Sequence, residues 1–402
     1  MNKELEKKIY LVGGAVRDKL LNLPLKDKDY VAVGYKEDEF SHLLRVGKDF
    51  PVFIQEDGSE LALARTERKT SQGYNGFETN TQNVTLEDDL QRRDLSINSI
   101  AYDEVNDIYI DPYGGQKDLK EKLLRHTSKA FIEDPLRVLR LARFKAQLGQ
   151  KWQIDPSTKS LVLQMKNELS FLQADRVWKE IEKVLLLPNT SLFFETLLEL
   201  NVLDVIFPHI YQLTQVKENS AYHQEESVFV HTMMVLDELK DESALLKLTA
   251  LYHDIAKPYC YKSFGSGAGH DSRELVEERI DINIPTKLKK QMLFLIENHI
   301  KIALLEDMRA NKVANFLENF KGKRELLFVL LRFKEADDTG RITQMKKVCI
   351  EREKLLQTFE KISSYSPKEW IDSQINQVTN LQIKQHVHNK NIAFVKETYK
   401  DR

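Results

Sequence analysis

The sequence predicts an α+β protein, with a small mixed α/β head followed by an all-helical neck, body and tail. Three observations predict it. Short β-type runs are confined to about the first 130 residues, helical periodicity takes over from about Glu133, and 402 residues are too many for one helical core. The expected boundaries are a head at 1–132, a helical neck and body at 133–225, a second helical block at 226–341 and a helical tail at 342–402.

Within the head, Ile9–Gly13, Asp29–Gly34, Pro51–Gln55 and Glu60–Thr66 read as strands, being short, apolar or β-branched, and bounded by turn formers. Ala15–Leu23 and Glu37–Val46 read as short helices between them, which makes a mixed unit with a small sheet. Ser71–Asn83, rich in Gly, Asn, Thr and Gln, reads as a mobile loop. From Glu133 the segments 133–149, Ser157–Leu169, Asp175–Leu187 and Leu192–Leu200 repeat their apolar residues at helical spacing, and no strand is expected. Asp134-Pro135 suits a helix start, with Asp at the N-cap and Pro at the first helical position. Helices continue from about Glu226 to Arg341 and to the C-terminus, where Gln382–Asn391 reads as a solvated helix. No short-period repeat or low-complexity tract interrupts this order.

Composition sets limits on function. No apolar run is long enough to cross a bilayer, and the first residues lack the apolar stretch of a signal peptide, so no membrane partner is expected. Cys260 and Cys349 are too few for a disulfide framework and lack metal-type spacing, which fits reduced thiols in a cytoplasmic protein. Sixty Lys+Arg against 62 Asp+Glu leave a net charge of -2, so any nucleic-acid binding must come from a local basic face.

The chemistry begins at Gly13-Gly14, which ends a strand and opens a helix, where backbone can approach an anion closely. Arg17, one turn on, can reach the same phosphates as a fork donor. Alone this is a tight turn. Asp27 and Asp29 change its meaning: two residues apart in a strand, their carboxylates would lie about 7 Å apart and repel by roughly 2–3 kcal/mol at an effective dielectric near 20. A hard divalent cation such as Mg²⁺ reverses that penalty. Two ions held this way can activate a 3′-hydroxyl and stabilise leaving pyrophosphate.

LVGGAVRDKLLNLPLKDKDYVAVG resembles the head of the class II template-independent nucleotidyltransferases, the bacterial CCA-adding enzymes and their poly(A) polymerase relatives. ALARTERK (62–69), LEDDLQRRDLSINSIAYD (86–103) and EDPLRVLRLARF (133–144) resemble later motifs of that family in the family's order. The resemblance runs through most of the chain and implies template-independent addition of CCA to tRNA from CTP and ATP. It implies that Gly14 and Arg17 contact the triphosphate, and that Asp27 and Asp29 hold Mg²⁺ as the catalytic pair. It further implies that Arg93 contacts the incoming nucleotide, Asp94 helps hold the ribose side, Asp134 and Arg137 read the base edge, and Arg140 and Arg143 add contacts. Residues 134, 137 and 140 share one helix face. An Asp acceptor beside an Arg donor can serve the amino group and ring nitrogen that cytosine and adenine both present, while rejecting guanine and uracil.

In the second helical block, His231, His253-Asp254, His270, His299 and Asp337 bring imidazole and carboxylate into apolar helical context. That chemistry suits a divalent transition metal able to generate hydroxide. Their order resembles the HD superfamily of phosphohydrolases. In the CCA-adding subgroup such a block implies 2′,3′-cyclic phosphodiesterase, 2′-nucleotidase and phosphatase activities, with a metal such as Ni²⁺. Two departures stand out: Ala256 replaces the usual glycine after the HD pair, and no second histidine is placed close to His299. His42, His126, His209, His223, His386 and His388 read as ordinary surface or core residues.

The implied partners are tRNA, gripped at acceptor stem and elbow, with CTP and ATP, for a monomer or weak homodimer. A poly(A) polymerase shares the head but normally lacks the HD-type block and ends in a strongly basic tail. An HD phosphohydrolase with a non-catalytic RNA-binding head has no need of intact Asp27 and Asp29.

Overall fold

The computed structural model describes residues 5–25, 27–47, 51–69, 77–217, 225–342, 351–374 and 377–399. The chain forms two compact units, Met1–Pro208 and His209–Arg402.

The first unit opens with β1 (Lys8–Val12), α1 (Gly14–Leu20), β2 (Asp29–Val33), β3 (Leu44–Val46), β4 (Val52–Ile54), β5 (Glu60–Leu63), β6 (Thr66–Lys69) and β7 (Phe77–Asn80). It continues through α2 (Leu86–Gln91), β8 (Ala101–Asp103), β9 (Ile108–Ile110), α3 (Gly115–Glu121) and β10 (Leu123–Leu124). After these come α4 (Leu136–Leu148), β11 (Gln153–Ile154), α5 (Pro156–Gln164), α6 (Ala174–Leu185), α7 (Thr190–Glu199) and α8 (Leu203–Ile206). Seven strands form one sheet in the order β3-β4-β5-β2-β1-β8-β9. Its register decides where chemistry can sit. β1 runs antiparallel to β2 with Val12 opposite Asp29, and β2 runs parallel to β5 with Asp29 opposite Glu60, so the end of β1 and the starts of β2 and β5 share one sheet edge. Period-two alternation buries both sheet faces: Val31 and Val33 pack with Val12, Ala64, Val84 and Leu90, whereas Ala32 packs with Phe40, Phe53, Leu61 and Leu63.

α4 packs against α6 and α7, burying Val138, Leu139, Leu141 and Ala142, and stops at Gly149, whose φ of 97° takes the chain out of the helix. Its start falls one residue later than the sequence suggests. Pro135 takes the cap position, while the Asp134 carboxylate accepts the Leu136 N–H at 3.0 Å.

The second unit is helical: α9 (Pro208–Gln212, beginning at the last residue of the first unit), α10 (Val228–Asp237), α11 (Ala244–Tyr252), α12 (Lys257–Phe264), α13 (Arg273–Glu277) and α14 (Thr286–Ala303). α15 (Ala310–Glu318), α16 (Arg324–Thr339), α17 (Arg352–Ser364), α18 (Lys368–Asp372) and α19 (Asn380–Thr398) complete it. No helix among the described residues is long and apolar enough to cross a membrane.

Several expectations require correction. Glu37–Val46 is not a helix: Glu37–Phe40 is a single 3₁₀ turn, and Leu44–Val46 is β3, paired antiparallel with β4. An edge partner supplies backbone hydrogen bonds that outweigh the stretch's helical spacing. Glu60–Thr66 divides between β5 in the main sheet and β6, which pairs with β7 inside the segment read as a loop. Residues 71–76 of that segment lie outside the described residues. Strands β8 and β9 fall where no strand is expected, and β10 pairs in parallel over two residues with β11, which lies beyond the point where strands were expected to end. The helix expected over Ser157–Leu169 breaks after Gln164 into a 3₁₀ segment.

Two candidate active sites

A cleft of about 680 Å³ opens at the shared sheet edge and is floored by α4 and α6. Gly13, with φ 71°, turns the chain from β1 into α1; a Cβ there would lie 3.0 Å from Arg93 Nη1 and 3.8 Å from Asp29 Oδ2. Only glycine tolerates both that backbone conformation and that closeness. Asp29 starts β2 and is half-buried, whereas Asp27 lies in the exposed loop before the strand rather than in it. Both line the cleft, and neither has a hydrogen bond or ion pair among the described residues. Burial holds the Asp29 carboxyl above its ordinary pKa against the pull of Arg93, and Asp27 adds to the rise.

Eight arginines and Lys183 line the cleft against five carboxylates, so this local face is strongly basic despite the chain's near-neutral charge. Gly14 lines it beside Arg17, whose buried guanidinium donates to Asn98 Oδ1 at 2.9 Å and Asp18 Oδ1 at 2.8 Å. Arg93 is held by fully buried Asp89, which also binds Arg92 at 2.6 Å; despite burial, these two arginines keep the Asp89 carboxyl below its ordinary range. Buried Asp94 accepts from Arg140 Nε at 2.7 Å and Asn98 Nδ2 at 3.0 Å. Burial alone would raise its pKa, but Arg140 and Asn98 hold it far below the usual carboxylate range.

The structure brings Asp134, Arg137, Arg140 and Arg143 to the cleft as expected, but with unforeseen partners. Asp134 is clamped by Arg176 of α6 through both carboxylate oxygens, at 3.2 and 2.9 Å. Arg137 donates to the Ala130 carbonyl at 2.7 Å. Arg143 donates to buried Glu180 at 2.6 Å, and Glu180 also lies 3.2 Å from Lys183 and 4.0 Å from Arg140. Arg176 and Glu180 escaped the sequence reading. A signal existed: Glu180 falls among Val177, Ile181 and Val184 on the apolar stripe of α6, where an unpaired carboxylate is costly.

In the second unit α10, α11, α14, α16 and the loop after α12 bring all six candidate ligands together, each buried. His231 Nε2 lies 3.1 Å from Asp337 Oδ1, and His253 Nε2 lies 3.1 Å from Asp254 Oδ2. His270 Nε2 lies 3.1 Å from Asp254 Oδ1 and 3.2 Å from His299 Nε2, so His270 is the second histidine that sequence did not place beside His299. The four Nδ1 atoms face the carbonyls of Gly340 (3.0 Å), Ala250 (2.7 Å), Gly267 (2.6 Å) and Ile296 (2.6 Å). Donation of Nδ1–H there turns every Nε2 lone pair inward. A Cβ on Gly340 would come within 2.7 Å of the Val235 backbone, so glycine is what lets that carbonyl reach His231. Burial, reinforced by His270 and His253, pushes His299 down to about 3, which keeps it neutral. Lys257 sits 2.9 Å from Asp254 Oδ2, and Arg341 pairs with Asp337; neither was foreseen. Ala256 is buried at the start of α12 without displacing any of these groups.

The remaining histidines lie outside both sets of residues. His126 meets Thr158 at 2.8 Å, His209 meets Asp281 at 2.6 Å, His386 meets the Tyr365 hydroxyl at 2.8 Å and His388 meets Glu318 at 3.0 Å. His42 is exposed, and His223 and Cys349 lie outside the described residues.

Residues 9–125 match the family described as the poly A polymerase head domain. Residues 152–213 match the probable RNA and SrmB-binding site of polymerase A. The sequence is 39% identical to the multifunctional CCA protein of Pasteurella multocida (strain Pm70), over 97% of each chain. It is 43% identical to that of Pseudoalteromonas atlantica (strain T6c) over 325 residues, 77% of this chain and 80% of that relative. The fold is similar to that of the Bacillus stearothermophilus CCA-adding enzyme in complex with CTP, with a TM-score of 0.64 at 20% identity, covering 97% of this chain and 89% of that one.

Proposed function

We propose roles for both sites on the premise that the chain belongs to the bacterial class II CCA-adding enzymes, in the group of multifunctional CCA proteins. It is a tRNA nucleotidyltransferase that adds and repairs the 3′-terminal CCA from CTP and ATP, releasing pyrophosphate. The second site serves its 2′,3′-cyclic phosphodiesterase, 2′-nucleotidase and phosphatase activities. One observation supports the transferase reading above others: two carboxylates without described partners face a wall of eight arginines and one lysine.

Asp27 and Asp29 fit a divalent cation, because their oxygens are free among the described residues and burial already disfavours charge on Asp29. Bound there, Mg²⁺ supplies charge neutralisation for the triphosphate and favours ionisation of the tRNA 3′-hydroxyl. The chain's own groups do the rest. Gly13-Gly14 gives the phosphates backbone-close access beside Arg17 and Arg93. Asp94, with Arg140, holds the ribose side. Asp134 and Arg137 read the base edge, with Arg176 fixing the Asp134 carboxylate and Glu180 fixing Arg143.

The second site fits a divalent transition metal such as Ni²⁺: four inward imidazoles and the Asp254 and Asp337 carboxylates, all buried, form its donor set. Such an ion supplies Lewis acidity toward a phosphate ester and eases deprotonation of water. The proposed working division is transferase head 1–132, neck and body 133–225, phosphohydrolase block 226–341 and tail 342–402. Neck, body and tail grip the tRNA acceptor stem and elbow, in a cytoplasmic monomer or weak homodimer.

The test is incubation with tRNA lacking CCA, supplied with CTP and ATP. Addition stops after three nucleotides. A lengthening A tract would make the protein a poly(A) polymerase, and no addition alongside intact phosphatase activity would reduce the head to a binding module.

A further inference from the structure

Helix α12 leads outward from the second site. At its start the buried Lys257 ammonium sits 2.9 Å from Asp254 Oδ2. Tyr261 and Phe264 follow four and seven residues later, so the three side chains share one helix face. At about 1.5 Å per residue, Tyr261 lies about 6 Å further along that face than Lys257, and Phe264 about 4.5 Å beyond Tyr261. Exposure rises in the same direction: Lys257 is 7% exposed, Tyr261 is half-buried and Phe264 is 65% exposed. A second contact puts Tyr261 at the rim of the site. A Cβ on Gly267 would lie 3.4 Å from its ring, and the Gly267 carbonyl faces His270 Nδ1 at 2.6 Å. The ring therefore borders the site both along the helix and across the loop that carries His270. Phe264 is braced despite its exposure: Tyr259 meets it at 6.0 Å with ring planes 84° apart, and Arg279 covers Tyr259 at 4.3 Å. Exposed Lys262, between Tyr261 and Phe264 in sequence, adds a cation beside the two rings.

We propose that Tyr261 and Phe264 form the nucleobase subsites of the phosphohydrolase site. The terminal base of an RNA 3′ end stacks on Tyr261 while its 2′- or cyclic phosphate reaches the buried cluster, and the preceding base stacks on Phe264. This rests on reading the second site as a phosphohydrolase and names what it recognises beyond the phosphate. Aromatic faces beside a cation suit unpaired bases of any sequence, because every base has a π-face. A step of about 4.5 Å is one that consecutive nucleotides of a strand span. The two rings thus make the site prefer base-bearing esters to base-free ones.

The experiment compares two esters of a secondary hydroxyl, adenosine 2′-phosphate and base-free glycerol 2-phosphate, on the full chain supplied with Ni²⁺. Tyr261→Ala should raise KM for adenosine 2′-phosphate about tenfold, within the range that loss of a base–aromatic stack produces, with kcat changed less than about twofold. Hydrolysis of glycerol 2-phosphate and bound Ni²⁺, counted by mass spectrometry, should match wild type, and Tyr261→Phe should restore KM. Phe264→Ala should leave adenosine 2′-phosphate unaffected and raise KM only for a dinucleotide ending in a 2′,3′-cyclic phosphate. Equal losses on both monoesters, or loss of Ni²⁺, would make Tyr261 a prop for the His270 loop and overturn its subsite. An unchanged KM for adenosine 2′-phosphate in Tyr261→Ala overturns it as well. An unchanged KM for the dinucleotide in Phe264→Ala removes the second subsite. Hydrolysis of neither monoester by the wild type would instead refute the phosphohydrolase reading on which both subsites rest.

Discussion

Replacing Glu180 by glutamine should destabilise the first unit by about 3 kcal/mol, because it leaves a buried guanidinium without its counter-charge. Glu180 is 2% exposed and Arg143 9%, and their contact is a 2.6 Å charge-assisted hydrogen bond. Removing one partner of such a pair costs about 3–5 kcal/mol. The lower end applies because the other cations near Glu180 have alternatives: the Lys183 side chain is 56% exposed, and Arg140 keeps Asp94 at 2.7 Å. For a unit of about 200 residues, each kcal/mol moves the melting temperature by roughly 2–4 °C, so a drop of about 6–12 °C follows. Calorimetry on the full chain, with CTP added to identify the transition that nucleotide protects, measures it. The Glu180→Met/Arg143→Met double variant should recover most of the loss, since an apolar pair leaves no stranded charge. A transition within 1 °C of wild type for Glu180→Gln, or strictly additive losses in the double variant, would refute the idea that Glu180 neutralises the floor of the cleft.

Other outcomes follow from the same geometry. Asp27→Ala should slow addition of all three nucleotides by about 10³-fold, equivalent to about 4 kcal/mol of lost transition-state stabilisation, while CTP still binds; near-normal incorporation would sink the metal assignment. Arg176→Ala frees the Asp134 carboxylate and should lower selectivity for C and A over U and G roughly tenfold, read from misincorporation kinetics; unchanged selectivity would show that the Arg176 clamp does no positioning. Arg137→Ala should also relax base choice, and unaltered discrimination against U and G would count against its role at the base edge. Arg140 and Asn98 hold Asp94 below the ordinary carboxylate range, so its ionised form adds stability that is complete above about pH 4 and lost as acid protonates it. Denaturant melts of Asp94→Asn should therefore decline less than wild type between pH 5 and pH 3, and parallel declines would contradict this.

Much of the head's chemistry was legible because its signals are local. Gly13-Gly14, Asp27 and Asp29 fall within one strand-helix-strand stretch, and the apolar spacing of Leu136–Leu148 marks a helix whatever packs on it. The misreadings fell where a partner decides. Glu37–Val46 carries helical spacing, yet β4 draws its end into the sheet. β6 and β7 hold together through each other rather than through any strong pattern of their own. The arginine partners of Asp134 and Asp94 lie 42 and 46 residues away, and no spacing rule reaches that far.

The sequence by itself determined the α+β order, the two sets of chemical groups and the family, because residue type and local period carry those through the chain. Tertiary structure alone decided which charges neutralise which, and that His270 meets His299 across 29 residues to split six ligands into two triads. The reason is physical. Ligand geometry and desolvated ion pairs depend on distances of a few ångströms between remote segments, and only packing sets those distances.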